Sequence, residues 1–546
     1  MIHRFRAFVV IWALIPFTGV EHVSAQSALQ QEEVLDRVIA QEQELTRSMA
    51  AYSPLVETYI QNLAEDDELG VAPKSDKYFL GKLNFSSGFG RSSFLVEEGF
   101  LQGIRDSFSQ LFSVKYLPDG FAQMILIDSK NFDRSHYSFE YIRSEFLGEV
   151  RCLVFDVNPA SKTTGGFTGR IWVEDRDYNI VRFNGVQGQP EGPLASKLYF
   201  HFDSWREQMG PRLWLPSYVY SEESEKKVQF KAQTRIWGYN LGRARAENEF
   251  TSLTVDSGRV EDNGDVDEHT APVTSLRTWE RQAEDNVLER MERAGLLAPS
   301  GNVDKVLETV ISNLEITNNL SIEPPVRARI VLTSPLESFT VGHTIVLSRG
   351  LIDVLPDEAS LAMVLAHELG HIVLGHRFDT KYAFHDRMRF DDPDMFQNLQ
   401  FKRTEKEEKQ ADRKAVELLR ESPYQEKLGS AGLFLRALSD KSKRLPSLLR
   451  GRMGNGLTAN GDLLRMPELM KSAPTLDRAQ IDQIAALPLG GRIRMNPWDN
   501  TIELVKTKAV GLQSASEKMQ FEIAPVYLYL SRQGKADEAA VRSTNN

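Results

Sequence analysis

The stretch Ala366-His367-Glu368-Leu369-Gly370-His371 constrains this chain more than any other. On a helix, histidines four residues apart share one face, a turn from each other. Both imidazoles then reach one ion. Glu368, beside the first, faces the coordination position left open, where it takes a proton from a water activated by the ion. The pattern demands a helix, and its surroundings supply one. Pro356 and Asp357 offer a start, and Leu361, Val364, Leu365, Leu369, Ile372 and Val373 supply apolar neighbours. A helix this apolar is buried, and buried histidines require partners. The bland alternative, two satisfied core histidines beside a surface glutamate, gives Glu368 no structural purpose.

A third protein ligand is required. None of the ten histidines stands six residues after His371: position 377 is Arg, and Leu374 occupies the place of the glycine turn used by one class of zinc protease. His376 reads as a helix C-terminal residue, where positive charge is favourable. The other class takes a carboxylate from a downstream helix, and residues 405–415 fit that role. Glu408, Ala411, Asp412, Ala415 and Leu419 fall on one helical face, and the alanines permit close approach to the histidine helix. Glu408 is the candidate ligand, Asp412 a carboxylate behind it to accept an imidazole N–H, and Glu405 the runner-up ligand. The implied cofactor is Zn2+. A purely structural zinc would take four protein ligands, and no cysteine is near.

The pattern His-Glu-Leu-Gly-His followed by Glu408-x-x-Ala411-Asp412 resembles the zincin family of the CAAX prenyl endopeptidase and bacterial HtpX. Gly350-Leu351-Ile352 is similar to that family too, and the resemblance covers roughly residues 276–494. It implies zinc on His367, His371 and Glu408, with Glu368 as general base in peptide hydrolysis. Three departures stand out. The membrane helices of the best-known members are absent, which points to the soluble periplasmic type. Glu337-Ser338 replaces the family's Asn-Ala before its edge strand. Leu487-Pro488 replaces its late His-Pro, whose histidine helps hold the substrate carbonyl; Arg492, shortly after, is the candidate for that role. Residues 337–347 read as a strand broken or bulged at Gly342-His343, and substrate is expected to pair with it as an added strand.

The rest of the chain reads as an α+β multidomain protein, a β-rich antiparallel N-terminal domain followed by a mainly helical zincin catalytic domain. His3, Arg4 and Arg6, an apolar run over 7–17 and Val23-Ser24-Ala25 suggest a signal peptide over 1–25, cleaved near Ala25, with an uncleaved anchor as the alternative. The expected destination is the periplasm or the cell exterior. A helical segment is expected over 26–75, from Leu29, Val34, Val38, Leu45 and Met49. A β-rich domain follows over 76–255. There Leu198, Phe200 and Phe202 alternate with polar residues, as do Val228, Phe230, Ala232, Thr234 and Ile236. An acidic linker is read over 256–275, the zinc peptidase domain over 276–490, and a mixed segment over 491–546 with strands at 501–506 and 518–530. The lone cysteine, Cys152, excludes an internal disulfide and reads as core.

Gly169-Arg170-Ile171-Trp172-Val173 and Leu213-Trp214-Leu215-Pro216 are loosely similar to lipoprotein carriers of the LolA type. The resemblance implies that the β-rich domain binds an acyl chain, an unfolded outer-membrane protein or the catalytic cleft, and gives it peripheral membrane or lipid contact. A net charge of -11 without a basic block argues against nucleic acid. The expected partners are polypeptides, including unfolded envelope proteins. The expected function is an exported zinc-dependent endopeptidase in envelope protein quality control. The alternative is a periplasmic chaperone, or a lipid- or protein-binding protein with a secondary metal site.

Overall fold

The computed structural model describes residues 20–84, 90–93, 121, 124–128, 130–160, 166–188, 201–225, 228–241, 272–376, 401–455, 458–459, 462–463, 465–506, 508 and 510–532. Period-two alternation builds one large antiparallel sheet from β1 (Leu55–Asp66), β2 (Gly70–Asn84), β3 (Gly90–Ser93), β4 (Tyr137–Leu147), β5 (Val150–Pro159), β6 (Gly166–Glu174), β7 (Ile180–Gly188), β8 (His201–Gly210), β9 (Leu213–Glu225) and β10 (Val228–Trp237). The order is β3-β2-β1-β10-β9-β8-β7-β6-β5-β4, so the chain returns to lay β10 against β1. The turn after β6 is held by Glu174, whose carboxylate accepts the backbone N–H groups of Arg176, Asp177 and Asn179.

Both faces of the sheet are covered, which decides where its residues point. Helix α1 (Val20–Ser48) and residues near Phe132 close one face, with Val38, Phe79, Phe167, Phe183 and Phe202 in the shared core. A fully buried ion pair pins that helix, Arg206 gripping Glu42 through two bonds of 2.6 and 2.7 Å. The other face carries Leu55, Tyr59, Cys152, Trp205, Trp214 and Trp237 into a core continuous with the mainly helical half that follows.

That half comprises helices α2 (Pro272–Arg293), α3 (Asn302–Thr317), α4 (Arg349–Val354), α5 (Glu358–Val373), α6 (Glu405–Arg420), α7 (Leu428–Lys441), α8 (Pro446–Leu449) and α9 (Pro467–Ser472). It also holds a small sheet of β11 (Arg327–Val331), β12 (Ser338–Val341) and β13 (Thr344–Ser348), in the order β11-β13-β12. Short hairpins β14 (Thr458–Ala459) with β15 (Asp462–Leu463), and β16 (Ile493–Met495) with β17 (Ile502–Leu504), follow.

The seam between the halves is polar at its centre. Glu57 of β1, 1% exposed, accepts from the Ser334 backbone and hydroxyl, from Tyr78 and, at 2.8 Å, from the Arg349 guanidinium. Asp76 of β2 accepts the N–H groups of Ser447 and Leu448 at 2.9 and 2.7 Å, capping the start of α8.

Three expectations change. The helical reading of 26–75 holds only to Ser48; from Leu55 the chain is sheet. Leu55, Glu57, Tyr59 and Gln61 face the mainly helical half while Val56, Thr58 and Ile60 face the other core. Buried polar residues on both faces broke the alternation and left an apolar spacing that mimics a helix. Residues 337–347 are a hairpin rather than one bulged strand. Gly342 takes a φ of +59° in a two-residue turn, and buried Glu284 accepts the N–H of His343 at 2.7 Å. Of the strands expected in the C-terminal segment, 502–504 is present. Residues 518–530 run irregularly, held by a bridge between Leu489 and Ile523 and by Gln61 on either side of Glu522.

Residues 1–19 of the expected signal, 256–271 of the expected linker, Leu198, Phe200 and the last fourteen residues (533–546) lie outside the described residues. Among those described, no helix is long and apolar enough to cross a membrane.

Candidate metal centre

Helix α5 begins where Asp357 accepts the Ser360 N–H at 2.8 Å, a conventional N-cap. Every residue from Ala362 to Ile372 is buried, histidines included. Helix α6 starts with a capping box in which the Thr404 hydroxyl accepts the Glu407 N–H and the Glu407 carboxylate accepts the Thr404 N–H. The cap fixes the roles of three neighbouring acids. Glu407 is spent on the cap, and Glu405 points to solvent against Lys409. Glu408, a turn further on, faces α5. The helices touch where Gly370 meets Ala411: a Cβ on Gly370 would stand 2.9 Å from the Ala411 carbonyl oxygen.

His367, His371 and Glu408 converge. The two Nε2 atoms are 3.2 Å apart, His367 Nε2 is 3.3 Å from Glu408 Oε2, and His371 Nε2 is 3.4 Å from Glu408 Oε1. The outer nitrogens are engaged: His367 Nδ1 with Asp412 at 2.9 Å, His371 Nδ1 with His376 Nδ1 at 2.8 Å. The Nδ1 hydrogen bond to Asp412 orients His367 so that, once Nε2 is free of its proton, the Nε2 lone pair is available to an ion. Two imidazole nitrogens and a carboxylate so placed share protons when no metal is bound, and with those protons removed the three converge on one cation. Ligands about 2.0–2.1 Å from a tetrahedral zinc stand roughly 3.3–3.4 Å apart, which matches these separations. The donor set therefore fits zinc.

The electrostatics follow from burial and from one arginine. Arg465, 4% exposed, donates from Nη1 to Glu368 Oε1 and to the Ser338 hydroxyl, both at 2.8 Å, and its Nε lies 3.6 Å from Glu408 Oε2. Burial alone would raise the Glu368 carboxyl, but Arg465 and then the two histidines hold it below its ordinary range. Glu408 is likewise pushed up by burial and pulled well below it by Arg465 and both histidines. For His367, burial and Arg465 oppose protonation, yet hydrogen bonds to Asp412 and Glu408 leave its pKa raised.

Arg492 is not brought into this cluster. Its backbone N–H reaches Asp353 at 3.0 Å, and the residue lines a cavity beside the large sheet. Arg465 is the cation at the cluster, and nothing in its local sequence announces it. Asn455, which donates to Glu408 Oε1 at 2.6 Å, was equally silent. The edge of β12 away from β13 pairs with no other strand among the described residues. It is nevertheless covered: Phe401 stacks on Phe339 at 5.0 Å, and Gly454 packs so tightly that a Cβ there would stand 2.9 Å from the Ser338 carbonyl. Glu337 anchors this cover by accepting the N–H groups of Arg452 and Met453 at 2.8 and 2.9 Å.

Residues 299–386 match the sequence model of peptidase family M48, a span that includes α5 and ends before Glu408. No curated protein matches the chain. Two solved structures align with 38% of this chain and 90% of their own. One is a domain assigned to outer membrane lipoprotein sorting from Vibrio parahaemolyticus, 12% identical with a TM-score of 0.20. The other is a LolA superfamily protein from Nitrosomonas europaea, 11% identical with a TM-score of 0.19, and likenesses at this level say nothing of what this chain binds.

Proposed function

We propose that the chain, whose residues 299–386 match the model of peptidase family M48 and so support a metallopeptidase, is a zinc-dependent endopeptidase acting on exported polypeptides. The observation that carries this reading is the approach of His367 Nε2, His371 Nε2 and Glu408 to within 3.2–3.4 Å of one another, with the Glu368 carboxylate beside them. His367, His371 and Glu408 would hold the ion. Bound zinc supplies Lewis-acid polarisation of a scissile carbonyl and makes water a nucleophile near neutral pH.

The remaining chemistry belongs to the chain. Glu368, kept ionised by Arg465 and the histidines, accepts the proton of the attacking water and delivers it to the leaving amine nitrogen. Asp412 fixes the His367 ring and its tautomer. Arg465 balances the buried charge of Glu368 and Glu408. The edge of β12, which pairs with no other strand among the described residues, would offer main-chain partners to an extended peptide once Phe401 and Gly454 give way from it, with Arg465 staying on Glu368. Recognition through main-chain bonds carries little sequence preference and suits unfolded envelope proteins. The basic, apolar and small-residue order of 1–25 supports export to the periplasm.

The test is digestion of a reduced, carboxymethylated unfolded protein by purified chain. Cleavage that a chelator abolishes and zinc restores supports the reading. Cleavage indifferent to the chelator, or binding without cleavage by zinc-loaded protein, removes it, and the second result would favour a chaperone.

A further inference from the structure

A cavity of ≈ 730 Å³ lies between strands β8, β9 and β10 of the large sheet and the stretches 487–497 and 503–506 with 524–529, with Asp353 of α4 in its wall. The volume is that of a small-molecule site. Its charges do not balance. Arg494 lies 3.5 Å from Glu207 and 3.7 Å from Glu503. Asp353 is taken by Arg349 and by the N–H groups of Arg492 and Ile493. Arg235, Arg492 and the exposed Lys506 remain, and neither arginine has an ion-pair partner within 4 Å among the described residues.

Arg235 is the sharper case. It is 8% exposed and, among the described residues, its Nε has no hydrogen-bond partner and its one hydrogen bond is a 3.3 Å bond from Nη2 to the Gly490 carbonyl. The guanidinium sits over Tyr218, 5.0 Å from the ring centre. A Cβ on Gly490 would come within 2.7 Å of Nη2, so the glycine leaves that nitrogen its room. An unpaired buried guanidinium is costly and is normally met by an acid.

The mouth has the opposite character. Leu504, Val505, Tyr527 and Tyr529 line the cavity and are 37, 40, 65 and 61% exposed. Large apolar side chains left in solvent around one opening mark a place where apolar matter docks. Leu489, Ile493 and Val526 continue that surface inward.

We propose that this cavity binds an apolar chain ending in a carboxylate, the acid on Arg235 and Arg492 and the hydrocarbon between Leu504, Val526 and Tyr527. A guanidinium takes a carboxylate in charge-assisted hydrogen bonds, and a neutral head group of the same length forfeits them. The site is separate from the metal centre, and the proposal does not depend on proteolysis.

The experiment is calorimetric titration of the full chain with dodecanoate below its micelle concentration, beside dodecanol and dodecyltrimethylammonium. A second arm uses a hexapeptide with an apolar C-terminus, as free acid and as amide. One-to-one dodecanoate binding, weakened about tenfold or more by Arg235→Gln and for dodecanol, is the expected result. Leu504→Glu, a change at the exposed rim that leaves the buried arginine intact, should abolish it. Binding of the free-acid peptide but not its amide supports the same chemistry and assigns it to polypeptide ends rather than fatty acids. The proposal is overturned if neither carboxylate binds. It is overturned equally if alcohol and acid bind alike, or if Leu504→Glu binds as the parent does.

Discussion

Replacing Gly370 by alanine tests whether the metal centre depends on how closely two helices approach. Two effects oppose each other. Alanine inside a helix is favoured over glycine by about 0.8–1.0 kcal/mol. The new methyl, however, would stand 2.9 Å from the Ala411 carbonyl oxygen and 3.4 Å from both Ala411 Cα and Lys414 Cβ. A carbonyl on a packed helix cannot rotate aside, so α5 and α6 must separate by roughly half an ångström to reach ordinary contact distance. Overpacking of this kind costs about 1–3 kcal/mol, so the net stability change runs from near zero to a loss of about 2 kcal/mol. The metal centre is affected more sharply. Glu408 lies one turn before Ala411 and moves with it, while metal–ligand distances tolerate only about ±0.2 Å. Gly370→Ala should therefore lower zinc affinity about 10–100-fold, the scale seen when ligand support is disturbed. Competition with a chromophoric chelator measures this directly, and urea unfolding of the zinc-free protein measures the packing cost. Unchanged zinc affinity together with a raised unfolding midpoint would refute the reasoning, because helix propensity would then have acted alone.

Four further outcomes are expected. Glu368→Gln should retain zinc and lose at least about a hundredfold in kcat/KM, since general-base catalysis contributes about 10²–10⁴; a zinc-loaded variant of near-parental activity would remove Glu368 from the mechanism. Glu408→Gln should lose metal while Glu405→Gln, a change at an exposed residue, keeps it, as equilibrium dialysis will show. Arg465→Gln removes the main influence holding the Glu368 carboxyl down, so its pKa rises and the acid limb of the pH profile of kcat/KM moves to higher pH; an unmoved limb would show that Arg465 does not set that charge. Glu57→Ala leaves Arg349 buried beside Asp353 alone and should cost about 3–5 kcal/mol, read as a lower urea midpoint for the whole chain.

The metal centre was legible because its signal is local. Helical spacing places His367 and His371 together whatever surrounds them, and a second helix carrying Glu408, Ala411 and Asp412 on one face needs only short-range periodicity to be recognised. The residues that complete the centre are another matter. Arg465 reaches Glu368 across 97 positions and Asn455 reaches Glu408 across 47, and neither belongs to a pattern that sequence periodicity can express. The same limit explains β1. A strand buried on both faces, one of them studded with Glu57 and Gln61 for partners hundreds of residues away, loses the alternation that identifies a strand. Gly342-His343 was recognised as an interruption, but whether the chain bulges or reverses there is settled by the buried carboxylate of Glu284 from another helix.

The polar seam also bears on the order in which the metal cluster can assemble. The histidine helix packs on β12 and β13, and α4, which follows β13, carries Arg349, neutralised by Glu57 from the first strand of the large sheet. From the far side, Ile523 and Leu530 close the same core, and the Leu530 carbonyl accepts the Glu149 N–H at 2.8 Å. Segments made before and after the histidines are thus both required to surround them. A chain made as far as the histidine helix already holds every strand of the large sheet but lacks Glu408 and Arg465, so the cluster cannot yet assemble. The three-residue cluster is complete only once Glu408 has been made, and its buried charge is balanced only once Arg465 has followed.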